Sequence, residues 1–282
     1  MAWLQRGRAG RGYLAAALLV LMPAGASLAA GGTCERIVVT GNADYPPLLW
    51  VNPDDTSRLT GAAVELLENA LQDSGIHVDA LHVGNWEQAQ QEVRSGRVDM
   101  LAGSFLTPER FTEVDYVYPP YMEIPSVIFV RRGEAFPYSG WDDLRGKRGS
   151  SLSSSSFGAA FDTYAADHLD VAAMPGIEQA FEQLLGGKVD YLIHERHQGL
   201  ALAAQRDVLG QLDILEGSLI NEQLYYSISH HSACNSPTLR GALAKGMYQM
   251  VRQGEPRRLL EKYRDKWAAQ FAPVPEEEPA LE

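Results

Sequence analysis

Basic residues are in short supply in this chain of 282 residues: 24 Lys and Arg stand against 36 Asp and Glu, a net charge of −12. Three of those basic residues, Arg6, Arg8 and Arg11, sit among the first 30 residues, which hold no acid, so the remainder carries −15. So acidic a body argues against nucleic acid or anionic lipid as the main partner, because both need a basic face. Long apolar runs are also lacking. The run from Tyr13 to Met22 falls short of the roughly 20 residues that a spanning helix needs, and no later stretch is longer. Catalytic signatures are equally thin: there is no Gly-x-Ser-x-Gly elbow and no phosphate-binding lysine loop. His194-Glu195-Arg196-His197 fails the helical zinc pattern, since Gln198 stands where its second histidine belongs. His230-His231 reads as a solvated pair. No metal and no cofactor is expected. What the chain does have is 45% hydrophobic residues. That is enough for a real core, and it excludes collagen-like, coiled-coil and wholly disordered classes. The length fits one large or two medium domains.

The first 29 residues have the layout of a secretory signal peptide: three arginines, a short apolar stretch, and Ser27-Leu28-Ala29 ahead of a cleavage point after Ala29. The alternative, a membrane anchor, is disfavoured by the shortness of the apolar run. Export to the periplasm is therefore expected. Only two cysteines occur, Cys34 and Cys234. In an oxidising compartment an isolated pair points to one disulfide, with two buried free thiols as the alternative.

Short β-type runs alternate with helical periods along the mature chain. Strands are predicted over 36–40, 77–83, 98–104, 124–131, 189–193 and 225–230, and 41–57 reads as a loop. Helices are predicted over 62–73 with Val64, Leu67 and Leu71 inward, and over 86–95 with Trp86, Ala89 and Val93 inward. Further helices follow from about 157, over 176–185, from 237 with Leu239, Leu243, Met247 and Met250 inward, and from 256 with Leu260, Tyr263 and Trp267 inward. The tail 273–282 is acidic, proline-bearing and reads as disordered. This alternation means an α/β fold with largely parallel sheets, with ligands beyond the carboxyl ends of strands. The order strand, helix, strand, helix, strand occurs twice, around 36–104 and 146–195, as two similar lobes would require.

Several motifs stand in a recognisable order: Asp44-Tyr45-Pro46-Pro47, Trp86, Gly96-Arg97-Val98-Asp99, Gly103 followed by Thr107-Pro108-Glu109-Arg110, Tyr116 to Tyr121, Asp142-Asp143-Leu144-Arg145-Gly146-Lys147, and Gly187-Lys188-Val189-Asp190. Together they resemble the family 3 extracellular solute-binding proteins over about residues 34–267. The resemblance implies a two-lobe Venus flytrap fold, each lobe a mostly parallel sheet flanked by helices, with two interlobe crossings. It divides the chain into 1–29 (signal peptide), 33–122 (lobe 1), 123–221 (lobe 2), 222–272 (the rest of lobe 1) and 273–282 (tail). Both cysteines would then lie in lobe 1. The implied function is capture of a small carboxylate-bearing solute, an amino acid or derivative, by lobe closure and delivery to a membrane permease by a monomer. A sensor docking on a receptor, and an enzyme like the cyclohexadienyl dehydratases, are the alternatives on the same fold.

The resemblance also assigns residues. Arg110 would grip the ligand carboxylate, which suits a planar fork of donors; the alternative is a surface pairing with Glu109 or Glu113. Tyr45 and Trp86 would be aromatic walls, or else ordinary packing. Ser155 and Ser156, in the serine-rich run before a helix, would touch the carboxylate where N–H groups at a helix start favour an anion; a flexible linker is the other reading. Glu195 would meet the ligand's ammonium, or else pair with Arg196. Phe105 occupies a place where the family usually has a hydroxyl residue, and Gly103 a small polar place. Gly61-Ala62-Ala63 replaces the usual Gly-aromatic-acidic, with only Glu65 keeping an acidic place. Polar contacts to a standard amino acid are thinned accordingly, which leaves room for a less polar, larger or atypical ligand.

Overall fold

The computed structural model describes residues 34–153 and 155–271. The expected signal peptide, Ser154 and the acidic tail lie outside them. The first half runs through β1 (Arg36–Thr40), β2 (Asp44–Tyr45), β3 (Leu49–Val51), β4 (Leu59–Thr60), α1 (Ala62–Leu71), β5 (His77–Ala80), α2 (Trp86–Arg94), β6 (Met100–Phe105), β7 (Val114–Tyr116) and β8 (Met122–Arg131). It continues through β9 (Arg148–Leu152), α3 (Ala159–His168), β10 (Asp170–Met174), α4 (Ile177–Leu185), β11 (Tyr191–Glu195), α5 (Arg196–Gln205), β12 (Leu212–Ile214), β13 (Ile220–Ser229), α6 (Pro237–Arg252) and α7 (Glu255–Ala269).

The main sheet has the order β10-β9-β11-β8-β13-β6-β1-β5, with β12 on β8 and β7 on β13, while β2, β3 and β4 form a small sheet of their own. The segment read as a loop over 41–57 thus contains β2 and β3, strands too short to show a period of two. The flanks are parallel as expected (β1 with β5 and β6, β9 with β10 and β11). The middle is not, because β8 and β13 pair antiparallel with each other and with their neighbours. These two strands have ten residues each. Met122–Ser126 pairs with Ile220–Leu224; beyond that, β8 turns to β11 and β12, and β13 to β6 and β7.

Burial follows residue pattern. On β8, Val127 and Phe129 enter one apolar cluster with Leu192 and Leu184, while Ile128 and Val130 enter another with Tyr191, Ile193 and Phe161. Alternation by two, apolar on both faces, is what a strand covered on both sides requires. A third cluster joins the chain's two ends: Ile37, Leu67 and Met100 pack with Leu243, Leu259 and Trp267. A fourth lies beneath α2, around Ala89 and Val93. On α7 the buried residues are Pro256, Leu259, Tyr263 and Trp267. Leu260, expected inward, is only partly buried, because Leu259 completes that stripe.

The bond between Cys34 and Cys234 is formed, with Cα atoms 5.4 Å apart, and it ties the start of β1 to the segment before α6. Close to it, α6 lies on α1. A Cβ added at Gly246 would stand 2.0 Å from the Ala70 carbonyl oxygen, so only glycine permits this approach. Gly246→Ala should cost about 1–3 kcal/mol through overpacking against backbone that cannot give. The urea unfolding midpoint measures it, and an unshifted midpoint would mean the two helices separate freely.

Among the described residues no helix is long and apolar enough to cross a membrane. No group of three His, Cys, Asp or Glu that could hold a metal occurs among them.

Candidate functional site

The turn after β6 carries Arg110, in a single 3-10 turn over Glu109–Thr112. Its guanidinium donates to the Phe105 carbonyl at 2.8 Å and to the Gln90 side-chain oxygen at 3.1 Å. The guanidinium carbon lies 5.4 Å from the centre of the Trp86 ring. Gln90 is four residues after Trp86 on α2, so both project from one face. Among the described residues Arg110 has no carboxylate partner. Glu113, a candidate partner in the sequence, pairs with Arg94 at 2.6 Å instead. Arg110 is thus oriented by neutral acceptors and an aromatic face. Phe105 contributes its carbonyl, which also accepts from the Tyr116 hydroxyl at 3.0 Å.

Glu195 closes β11 and directly precedes α5. The Tyr45 hydroxyl donates to its carboxylate, and two strands of different sheets are thereby joined. One turn into α5, the Gln198 side-chain nitrogen donates to the Asp44 carbonyl at 2.7 Å. Burial raises the Glu195 pKa to about 7; the Glu222 carboxylate nearby adds to the rise, and the Tyr45 hydrogen bond opposes it. Tyr45 is itself pushed well up, by burial and then by Glu195. Glu222, on β13, is raised by burial and by Asp162 of α3. Among the described residues Glu195 bonds Tyr45 and not Arg196, the alternative partner read from the sequence.

Ser155 and Ser156 are exposed. The Ser156 hydroxyl donates to Asp162 at 2.5 Å, and the Phe157 N–H donates to the same carboxylate at 2.9 Å. An acid of the chain itself therefore takes the anion place at the start of α3. Ser155 uses its N–H on the Leu152 carbonyl at 3.0 Å.

The predicted residues thus fall into two groups. Arg110, Trp86 and Phe105 meet directly, and Tyr45 and Glu195 meet directly; Ser156 bonds Asp162 and joins neither group. Adjacent strands connect the groups. Phe105 on β6 pairs with Leu224 on β13, and Glu222 lies two residues along that strand, about 7 Å away. Sequence reasoning missed Gln90, Glu222 and Asp162. Gln90 had a signal in its helical spacing from Trp86. Glu222 had none, since Asn221-Glu222-Gln223 reads as a polar connection.

A cavity of about 590 Å³ is lined by Pro47, Tyr121 and His197 on one side and by Leu260 and Arg264 of α7 on the other. None of the seven predicted ligand residues lines it. Its charged residues, Glu123, Arg257, Glu261 and Arg264, are exposed, so it is an open recess beside the candidate site.

Glu195 gives the site a pH signature. The folded state holds its proton up to about pH 7, whereas the unfolded chain releases it near pH 4.3. Between those values the folded state binds more protons, so its stability falls as pH rises. His194 and His197, both lowered to about 4 mainly by burial, act oppositely and lose stability as pH falls below 6.5. Glu195→Gln isolates the first effect. The variant should match wild type near pH 4 and exceed it by up to about 3 kcal/mol at pH 8. Denaturant unfolding across pH reads this; a difference that does not vary with pH would mean Glu195 is solvated.

The family model for bacterial extracellular solute-binding proteins, family 3, matches residues 37–266. The chain belongs to this family. No curated protein matches it. Its fold resembles that of a histidine kinase sensor domain with similarity to periplasmic binding proteins, at 24% identity and TM-score 0.60, over 83% of this chain and 96% of the other. It also resembles an amino acid ABC transporter substrate-binding protein of Streptococcus pneumoniae bound to L-arginine, at 20% identity and TM-score 0.59, over 85% and 97%. The second substrate-binding domain of GlnP from Lactococcus lactis, in an open conformation, shares 18% identity with TM-score 0.64 over 81% and 95%. As a family member the protein is a solute binder of the extracellular type on a mixed α/β fold.

Proposed function

We propose that this protein captures a small carboxylate-bearing solute, an amino acid or derivative, between two lobes, residues 33–122 with 222–272 and residues 123–221, and that β8 and β13 form the hinge. The halves of β8 and β13 that turn to different neighbours support the division, as does a core cluster drawn from both ends of the chain. The single observation that carries the ligand reading is Arg110. Its guanidinium is fixed by Phe105, Gln90 and Trp86 and lacks a carboxylate, so it is prepared for a bidentate anion. Glu195 and Glu222 make the other side acidic and favour a cationic nitrogen on the ligand. A basic amino acid fits both sides, and the similar fold of the L-arginine-bound protein agrees with it. Ser155 and Ser156 would approach the carboxylate once Ser156 leaves Asp162. Export to the periplasm and delivery to an ABC permease complete this reading.

A thermal-shift screen of ligand-stripped protein against amino and organic acids tests it. A micromolar ligand, about −8 kcal/mol, present at 100 times its Kd adds about 2.7 kcal/mol, a rise of roughly 5–10 °C for this chain length. No response to any amino acid would remove the proposal.

The likeness to a sensor domain supports a second reading, in which closure is read by a membrane receptor rather than a permease. Affinity capture of the membrane partner separates the two. Prephenate and arogenate should be recovered unchanged; their conversion would assign an enzyme with Glu195 as its acid.

A further inference from the structure

Tyr121 precedes β8 and is 3% exposed, yet its hydroxyl has no hydrogen-bond partner among the described residues. Buried hydroxyls are nearly always partnered, and an orphan calls for an explanation. The ring is held firmly. It stacks on Tyr226 with centroids 4.5 Å apart and planes at 29°, and the Tyr226 hydroxyl is itself anchored on the Ala63 carbonyl at 2.6 Å. Its surroundings are built to admit it. The register of β6 on β13 shifts between Tyr225 and Tyr226, which pair with Ser104 and Ala102 and leave Gly103 as the extra residue. Gly103 has φ +121°, and a Cβ there would stand 2.9 Å from the Tyr121 oxygen. A bulge at a glycine bends a strand and opens it to a close neighbour. Gly103 is also the residue before Ser104 and Phe105 where a polar contact to the ligand is missing from the sequence. The Tyr121 phenol lies near enough to Tyr45 to influence its ionisation, and Tyr45 holds Glu195.

We propose that the Tyr121 hydroxyl is a specificity-determining ligand contact, standing in for the side chain that Gly103 lacks and accepting an N–H from the amino group of the bound amino acid. A phenol oxygen is a neutral acceptor that suits such an N–H. The ring stack fixes the oxygen in place, and parting of the lobes would uncover it, since it is fully buried in this structure. This assignment rests on the amino-acid reading above.

Calorimetric titration of L-arginine and of 5-guanidinopentanoate, which lacks only the α-amino group, tests it on wild type and Tyr121→Phe. Wild type should bind L-arginine at least tenfold tighter than the analogue. Tyr121→Phe should weaken L-arginine about five- to tenfold, leave the analogue within twofold, and keep or raise the melting temperature of the ligand-free protein. A second hydroxyl-free variant, Tyr121→Leu, should show the same collapse of the ratio. Equal weakening for both compounds, unchanged affinities, or a lowered melting temperature with unchanged affinities would each overturn the assignment. Wild type that binds neither compound would overturn the basic amino-acid reading, and the assignment with it.

Discussion

Arg110→Ala should weaken amino-acid binding by about 30-fold to a few thousand-fold while leaving the ligand-free fold in place. Removing one partner of a buried, hydrogen-bonded charge pair costs about 2–5 kcal/mol, and every 1.4 kcal/mol is tenfold in Kd. Among the described residues the guanidinium has only neutral acceptors, Phe105 and Gln90. Its loss should therefore cost the free protein little, while the bound carboxylate loses its counter-charge. Arg110→Lys separates charge from shape. An ammonium keeps the charge but not the fork, so its affinity should fall between wild type and alanine. Unchanged affinity in Arg110→Ala, with an unchanged melting temperature, would remove the carboxylate assignment.

The second large effect belongs to stability. Replacing both Cys34 and Cys234 by serine should lower unfolding free energy by up to about 5 kcal/mol, the chain-entropy value for so long a loop. The bond spans 200 residues of sequence, and both half-cystines pack against the cluster that joins the chain's two ends. Reduction should therefore free the end of the chain that begins β1. Denaturant unfolding of the oxidised and reduced protein measures the loss. Ligand affinity of the folded variant should stay within about twofold, because the disulfide lies at the start of β1 whereas Arg110 follows the end of the parallel strand β6. Equal midpoints with and without reductant would show that the core alone holds both ends.

Both expectations trace to residues legible in the sequence. The two cysteines could be paired because nothing else competed for them. The strands and helices around 36–104 follow from periods of two and 3.6, since those elements are long and buried on one side or both. The antiparallel centre of the sheet could not be read in this way. A strand buried on both faces carries a continuous apolar run, and such a run does not reveal the direction of its neighbour. The site was legible in part. Arg110, Trp86, Tyr45 and Glu195 stood at motif positions, and the structure sets them in two contacting groups. The serine run was less informative: Asp162, six residues after Ser156, competes for the same helix start, and composition alone does not expose that competition. Glu222, and the orphaned hydroxyl of Tyr121, were hidden for another reason. Both are placed by the register of β13 against its neighbours, and a bulge at Gly103 cannot be located without the partner strand.

Amino-acid capture itself is tested most directly by isothermal titration of refolded, ligand-stripped protein with L-arginine and the other standard amino acids at neutral pH. One site per chain, with a Kd near micromolar for L-arginine or another basic member of the set, is the expected result. Absence of heat for every amino acid, from protein whose unfolding remains cooperative, would contradict it.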